Sequence, residues 1–200
     1  MKKDVLKNIS KFFAEIGNLA RIKRTGPILA GVKDSENIAE HVARATQIAY
    51  VLAYLEGADP EKTAIIVLFH DNGEVRVGDQ HKIASRYINI SKAENQAFEE
   101  QVKNLPSELG KRILSLKKEH DERKTKEGIV ARDADWLETA IEAKELIEQG
   151  HKGMKKWIEN IKGALETNSA KELLEYIEKE EDFLDSWWQG LKKMTYKKLH

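Results

Sequence analysis

The chain has 200 residues, with no cysteine and only three prolines. The absence of cysteine excludes both disulfide bonds and thiolate metal sites. Neither charge is in excess, because lysine plus arginine and aspartate plus glutamate number 34 each. A chain balanced in this way has no bulk attraction to nucleic acids or anionic membrane surfaces. We therefore expect neither a nucleic acid polymer nor a membrane among its partners.

Long apolar runs are missing as well. Neither the N-terminal residues nor any later stretch of the sequence is long and apolar enough to span a membrane. We therefore expect a cytoplasmic protein. A mass of 22.9 kDa is typical of one domain, which we predict to cover residues 1–200 and to be large enough for a core and a pocket.

The pattern of apolar residues predicts an all-α fold. In the first twenty residues they recur at spacings of three and four, as on a core-facing helix, and no stretch alternates long enough for a sheet. Asn37 to Glu40 resembles a capping box that starts a long helix through Leu55. Pro60 starts the next helix, which runs into His70-Asp71. Loops are expected over 23–35 and 75–90, and further helices over 91–104, 106–122, 125–149, 151–165 and 169–189.

Two histidines and two aspartates stand out within these helices. They occur in three short islands, Glu40-His41, Phe69-His70-Asp71 and Ala134-Asp135-Trp136-Leu137. Two neutral imidazoles and two carboxylates suit a divalent transition metal that keeps open positions for water and substrate. Adjacent helical residues point about 100° apart, so the His-Asp pair can reach one ion only near a helix end or a groove between elements.

Each island also has a simpler interpretation. A single histidine on an apolar helix, such as His41, is more often structural than a ligand. An aspartate that follows a run as apolar as 64–69 is costly to bury unless a cation or hydrogen bonds compensate it, which favours a metal at Asp71. Asp133 is a second acid near Asp135, and it could instead cap a helix. His81 and His120 are possible extra ligands, but we expect them to be surface histidines, because charged residues flank them.

The order His41, His70-Asp71, Asp135 resembles the HD superfamily of metal-dependent phosphohydrolases. Within that superfamily the sequence is most similar to the 5′-deoxynucleotidases, over about residues 10–150. Arg24-Thr25-Gly26-Pro27 looks like the family's arginine-containing loop, and the segment 70–79 looks like its central motif, an HD pair followed by Glu and then Gly-Asp. Residues 151–200 carry little resemblance, and we expect their helices to serve packing or dimerisation.

The resemblance implies a single HD-domain helical bundle, with an irregular loop after the His-Asp motif, that holds one divalent metal ion (Mn, Co, Zn, Ni, Fe or Mg). It assigns a catalytic acid/base role to Glu74, phosphate binding to Arg24 and contact with the sugar hydroxyl to Asp79. Its register places Asp135, rather than Asp133, at the metal. Thr25 stands where some members have an aromatic residue. The metal ligands that it implies are His41, His70, Asp71 and Asp135.

The function implied by these roles is metal-dependent removal of the 5′-phosphate from nucleoside 5′-monophosphates, mainly the deoxy forms. The same metal site could serve a phosphohydrolase that acts on cyclic nucleotides or nucleoside triphosphates. It could also belong to a non-catalytic regulator that binds a nucleotide. Trp157 and the pair Trp187-Trp188 lie at helical spacing with apolar residues, so we expect them in packing or in the interface of a homodimer.

Overall fold

The computed structural model describes residues 2–191, and the regular structure in that range is helical apart from one isolated β-bridge between Lys23 and Asn37. Short 3₁₀ turns cover 17–21, 84–86 and 152–154. No helix in the described range is long and apolar enough to cross a membrane. The α-helices are α1 Lys3–Ile16, α2 Thr25–Leu29, α3 Ile38–Glu56, α4 Pro60–Phe69, α5 Glu74–Val77, α6 Ile90–Val102, α7 Ser107–Glu122, α8 Lys126–Glu148, α9 Lys155–Lys162, α10 Asn168–Lys179 and α11 Phe183–Ser186.

Helix α3 begins at the predicted capping box. The Asn37 side chain accepts a hydrogen bond from the Glu40 amide at 3.0 Å, and the Glu40 carboxylate accepts one from the Asn37 amide at 2.8 Å. These two bonds satisfy amides that the first helical turn leaves without partners. The helix ends at Gly57, whose φ of 67° is a left-handed conformation that glycine adopts readily. Asp59 then caps α4, whose first residue is Pro60.

The main core lies where α3, α4 and α8 pack together. Alanines without exposed surface occupy both sides of the α3–α8 contact, for example Ala45 and Ala49 on α3 and Ala134 on α8. Small side chains let two helix backbones approach closely, so groups on the facing turns come within reach of one another. Helices α9 and α10 pack on α8 and extend the same core. A smaller cluster joins α1, α6 and α7 through Phe12, Phe98, Val102, Leu105 and Ile113.

Some predicted boundaries were wrong. The expected loop 23–35 contains the short helix α2, and the expected helix 151–165 is a 3₁₀ turn followed by a helix only from Lys155 to Lys162. The expected helix 169–189 breaks at Glu180, whose backbone is extended. Tertiary contacts hold this break: Lys144 donates to the Glu180 carbonyl, and the Glu148 carboxylate accepts the amides of Phe183 and Leu184. Residues 192–200, the end of the predicted C-terminal segment, lie outside the described residues.

Candidate metal centre

The four predicted metal-binding side chains come from three elements that meet in the core. His41 lies in the first turn of α3. His70 is the residue at which α4 ends, and Asp71 follows it, so the pair sits at a helix end as its adjacency required. Asp135 lies on α8. All four side chains are buried or nearly so, and the two carboxylates keep the larger exposed fractions, 19% for Asp71 and 14% for Asp135.

The atoms that could bind an ion converge. Asp135 Oδ1 lies 3.2 Å from His41 Nε2 and 3.6 Å from His70 Nε2. Asp71 Oδ2 lies 3.1 Å from His70 Nε2 and 3.8 Å from His41 Nε2. Atoms that share one ion at about 2.1 Å stand roughly 3–3.5 Å apart at tetrahedral or octahedral angles. The observed separations, from 3.1 to 3.8 Å, lie in or just above this range, so each carboxylate can share an ion with the two imidazoles.

Two unsatisfied atoms support this fit. His41 Nε2 and His70 Nε2 are buried, and neither has a hydrogen-bond partner within the described part of the chain. A buried polar atom without a partner costs about 1–3 kcal/mol. Both nitrogens point into the space between the carboxylates, where a cation would satisfy them. The residues present therefore fit a divalent metal.

The other nitrogen of each imidazole is held by the protein. His70 Nδ1 donates a hydrogen bond to the Val67 carbonyl at 2.7 Å. His41 Nδ1 bonds to the Glu138 carboxylate, which also accepts from Arg44 Nε at 2.8 Å. Such bonds fix which ring nitrogen keeps its hydrogen when the imidazole is neutral and leave Nε2 as the electron-pair donor to a metal. The sequence prediction did not include Glu138, although its position three residues after Asp135 places it on the same face of α8.

The electrostatics of the centre favour positive charge. Burial lowers the pKa of His70, but the carboxylates of Asp71 and Asp135 raise it by more, to about 10. Burial raises the pKa of Asp71, but the His70 imidazole beside it lowers it well below its usual range. Carboxylates held ionised in a buried site attract a cation or a proton. The centre therefore favours the binding of a cation.

Glu74 begins α5, directly after this centre. Its amide donates to the Asp71 carbonyl at 3.0 Å. Its side chain is buried, and Oε2 has no partner among residues 2–191. Burial, followed by the negative charges of Asp71 and Asp79, raises the pKa of Glu74 well above its usual range. A carboxyl group in this environment holds a proton that it can donate.

Arg24 lies behind His41 and is already paired with protein groups. Its Nη2 donates to Thr139 Oγ1 at 3.0 Å, and Nη1 lies 3.8 Å from the carboxylates of both Glu36 and Glu138. The side chain is only 13% exposed. Burial lowers the pKa of Arg24, and Glu138 and Glu36 raise it by more, so the guanidinium stays charged. Arg24 thus lies beside the metal centre, and its guanidinium already faces two carboxylates of the protein.

Asp79 joins two loops of the site. Its Oδ2 accepts hydrogen bonds from the Thr25 amide and from Thr25 Oγ1, the latter at 2.8 Å. Thr25 Oγ1 also lies 3.2 Å from the Asp79 carbonyl. These bonds connect the loop that carries Arg24 to the segment after α5. Thr25, which stands where some family members have an aromatic residue, is therefore a partner of the residue predicted to face the sugar.

Asp133 points away from the candidate metal centre. Its carboxylate accepts the amides of Glu166 and Thr167 and the hydroxyl of Thr167, the last at 2.6 Å. The alternative that Asp133 is a helix N-cap was wrong. Asp133 lies inside α8, and its carboxylate binds the turn that leads into α10.

The two histidines expected at the surface, His81 and His120, differ from each other. His81 is partly exposed and accepts the Ala84 amide at 3.3 Å through Nδ1. The expectation that His120 is a surface residue was wrong. Its side chain is 1% exposed on the last turn of α7, and its ring centroid lies 4.7 Å from that of His70. Burial lowers the pKa of His120 to about 4.

Comparison with known proteins identifies the family. A family model for the HD domain matches residues 16–179. The chain belongs to the HD domain family. It is 32% identical to 5′-deoxynucleotidase HDDC2 from Dictyostelium discoideum, over 73% of this chain and 81% of that protein. It is 29% identical to a 5′-deoxynucleotidase from Erwinia tasmaniensis, over 71% of this chain and 76% of the relative.

A solved structure agrees with the family assignment. A conserved hypothetical protein from Pyrococcus furiosus is 28% identical and superposes with a TM-score of 0.70, covering 84% of this chain and 98% of that one. The predicted all-α HD fold and the resemblance to HD phosphohydrolases and 5′-deoxynucleotidases are thereby confirmed. The HD fold places His41, the His70-Asp71 pair and Asp135 on the three elements that meet at the centre described above.

Proposed function

We propose that this HD-domain protein is a divalent-metal-dependent phosphohydrolase that removes the 5′-phosphate from deoxynucleoside 5′-monophosphates. One observation carries the proposal. Two buried imidazole nitrogens without hydrogen-bond partners in the described chain face two ionised carboxylates at separations suited to one ion. The similarity to proteins named 5′-deoxynucleotidase supports the substrate class.

His41, His70, Asp71 and Asp135 would hold the ion. A divalent ion in such a site lowers the pKa of a water that it binds and polarises phosphoryl oxygens. The carboxylates of Asp71 and Asp135 are the more exposed of the four side chains, so water and substrate would enter from their side. Fixed Nδ1 contacts to Glu138 and Val67 keep both imidazoles in position for this role.

Glu74 handles the proton in this proposal. Hydrolysis forms a bond from a water oxygen to phosphorus and breaks the bond from phosphorus to the 5′ oxygen of the sugar. The departing oxygen then needs a proton, which Glu74 donates because its buried carboxyl group holds one. The carboxylate recovers its proton from the attacking water, so the residue ends the cycle unchanged.

Arg24 and Asp79 would shape the substrate side. Arg24 contributes positive charge near the phosphate, although Glu36 and Glu138 already neutralise much of it. With so little free positive charge, the site suits a monophosphate better than a triphosphate, because the additional negative charge of a triphosphate would need more basic side chains. Asp79, held against Thr25, fixes the loop pair that would receive the sugar.

The test is a substrate screen on protein stripped of metal and refilled with Mn²⁺, Co²⁺, Ni²⁺, Zn²⁺ or Mg²⁺. Phosphate release confined to nucleoside monophosphates, with deoxy forms preferred, is the expected result. Release from cyclic nucleotides or triphosphates instead would assign the chain to that other HD activity. If the protein binds a metal ion but releases no phosphate with any of these metals, the result would favour a nucleotide-binding regulator.

A Glu74→Gln variant tests the proton role. It keeps the size of the side chain but carries no ionisable proton. We expect it to bind the ion as the wild type does and to lose at least about a hundredfold in kcat. Full turnover by this variant would refute the role given to Glu74. Glu61→Gln on α4 is a suitable control, because Glu61 lies in the first turn of that helix, far along it from His70.

We also infer a cytoplasmic homodimer of a single domain spanning residues 1–200. An apolar surface formed by α3 and α4 supports the dimer. Large apolar side chains stay exposed on it, and exposed apolar patches often mark protein–protein interfaces. An analytical ultracentrifugation profile at micromolar concentration tests the dimer. The exposed apolar side chains of this surface are Tyr50, Val51, Tyr54, Leu55, Ile65 and Leu68.

A further inference from the structure

His120 has no role in the mechanism above, yet it is one of the most completely buried polar side chains. Neither ring nitrogen has a hydrogen-bond partner among the described residues. The nearest carboxylate on its own helix, Asp121, approaches Nδ1 only to 3.6 Å, which is too long for a hydrogen bond. A buried imidazole with two unsatisfied nitrogens is costly unless something else binds it.

The position of His120 brings it close to two of the candidate metal ligands. One of its ring nitrogens, a donor atom of His70 and a carboxylate oxygen of Asp135 all lie within 4.8 Å of one another. His70 and Asp135 are two of the four side chains that would hold the ion. His120 therefore reaches the centre from α7, an element that supplies none of the other donors.

Two groups of possible metal-binding side chains share His70, and together they can bind only one ion. His41, His70 and Asp71 form one group, and His70, His120 and Asp135 form the other. His70 Nδ1 is occupied by the Val67 carbonyl, so only Nε2 is free. One ring nitrogen has one lone pair and binds one ion. If both groups bind an ion, it is therefore one shared ion.

We propose that His120 is a third imidazole ligand of the metal centre, entering on the side of His70 and Asp135. Donors on opposite sides of an ion lie about 4.2 Å apart, and neighbouring donors about 3 Å. The separations among His70, His120 and Asp135 are within 4.8 Å, so a small shift of one side chain brings all three to a common ion. The centre then has five protein donors, which leaves an octahedral ion one position for water or a phosphate oxygen.

This inference rests on the metal site of the proposed function, and X-ray absorption of the Zn²⁺-loaded protein separates the two. Multiple scattering from the rings in the extended fine structure gives the number of imidazoles bound to the ion. We expect three in the wild type and two in both His120→Phe and His120→Asn. We also expect both variants to bind Zn²⁺ at least tenfold more weakly than wild type in competition with a chelator.

Two variants are used in case one of them fails to fold. Phenylalanine keeps an aromatic ring of similar size, and asparagine keeps a polar group. Circular dichroism of the metal-free proteins checks that each one folds. His151→Asn is the matched control, because His151 follows the far end of α8 from Asp135, and it should keep three imidazoles. Two imidazoles in the wild type, unchanged zinc affinity in both folded variants, or two ions per chain would each overturn the role of His120. A wild type that binds no Zn²⁺ at all would instead overturn the proposed function.

Discussion

The Nδ1 atom of His41 is hydrogen-bonded to the Glu138 carboxylate, three residues along α8 from Asp135. One turn of α8 thus supplies both a candidate ligand and the group that orients another ligand on α3. Glu138 has no exposed surface, and Arg44 holds its other oxygen at 2.8 Å. The orientation of His41 is therefore fixed by a network of charged groups.

Replacing Glu138 with glutamine should weaken metal binding. The amide cannot carry the negative charge that now holds the Nδ1 proton of His41, so the imidazole becomes a poorer and less well oriented ligand. Changes of this type typically cost about 10–100-fold in metal affinity. Chelator competition measures the effect. Glu145→Gln is the control, because Glu145 also binds Arg44, at 2.8 Å, without touching His41, and its affinity should stay within about twofold of wild type.

Metal binding should release protons. The pKa of His70 is about 10 because Asp71 and Asp135 outweigh the lowering by burial, so this imidazole is protonated at neutral pH. A ligand imidazole must give up that proton, and apparent affinity should rise as the pH rises toward 10. Calorimetric titration with Zn²⁺ in two buffers of different ionisation enthalpy measures the release. Identical heats in both buffers would show that no proton leaves and would contradict the assigned charge state.

Gly26 should not tolerate a side chain. A Cβ at this position would lie 2.1 Å from Cη2 of the Trp157 ring, which packs against the loop that carries Arg24. We expect Gly26→Ala to lower the free energy of unfolding by about 1–3 kcal/mol, measured by urea denaturation. In a Trp157→Leu background, Gly26→Ala should cost less than in the wild type, because the ring that the new Cβ would meet is absent.

Gly17→Ala is the matched control for this variant. A Cβ there meets no atom within 4 Å, and the backbone φ of −60° suits any residue. Its stability should be unchanged or slightly raised, because alanine restricts the unfolded chain more than glycine does. Equal losses at both positions would show that the Trp157 contact is not the cause.

The sequence identified those parts of the site that depend on local patterns. The capping box at Asn37 sets where α3 begins, and Pro60 and the apolar run 64–69 identify the helix that leads into His70, so both histidines fall at predictable helical positions. Both features are encoded within a few adjacent residues. The choice of Asp135 over Asp133 rested instead on the resemblance to the HD family.

The features that sequence reasoning missed depend on contacts between distant segments. His120 looked exposed because lysine and glutamate surround it in the sequence, but α7 turns that one side chain toward His70. The break at Glu180 arises from contacts with Lys144 and Glu148, more than thirty residues earlier. Asp133 was left ambiguous because its partner, the turn at Thr167, lies on a different element.

The choice between Asp133 and Asp135 provides the most direct test of the metal centre. Both are buried aspartates on one helix, but only Asp135 faces the two imidazoles, whereas Asp133 binds Thr167. Metal content should be measured by mass spectrometry for wild type, Asp133→Asn and Asp135→Asn after loading with Zn²⁺. We expect one ion per folded chain in the wild type and in Asp133→Asn, and less than a tenth of that in Asp135→Asn. A full complement of zinc in Asp135→Asn, or none in the wild type, would contradict the account.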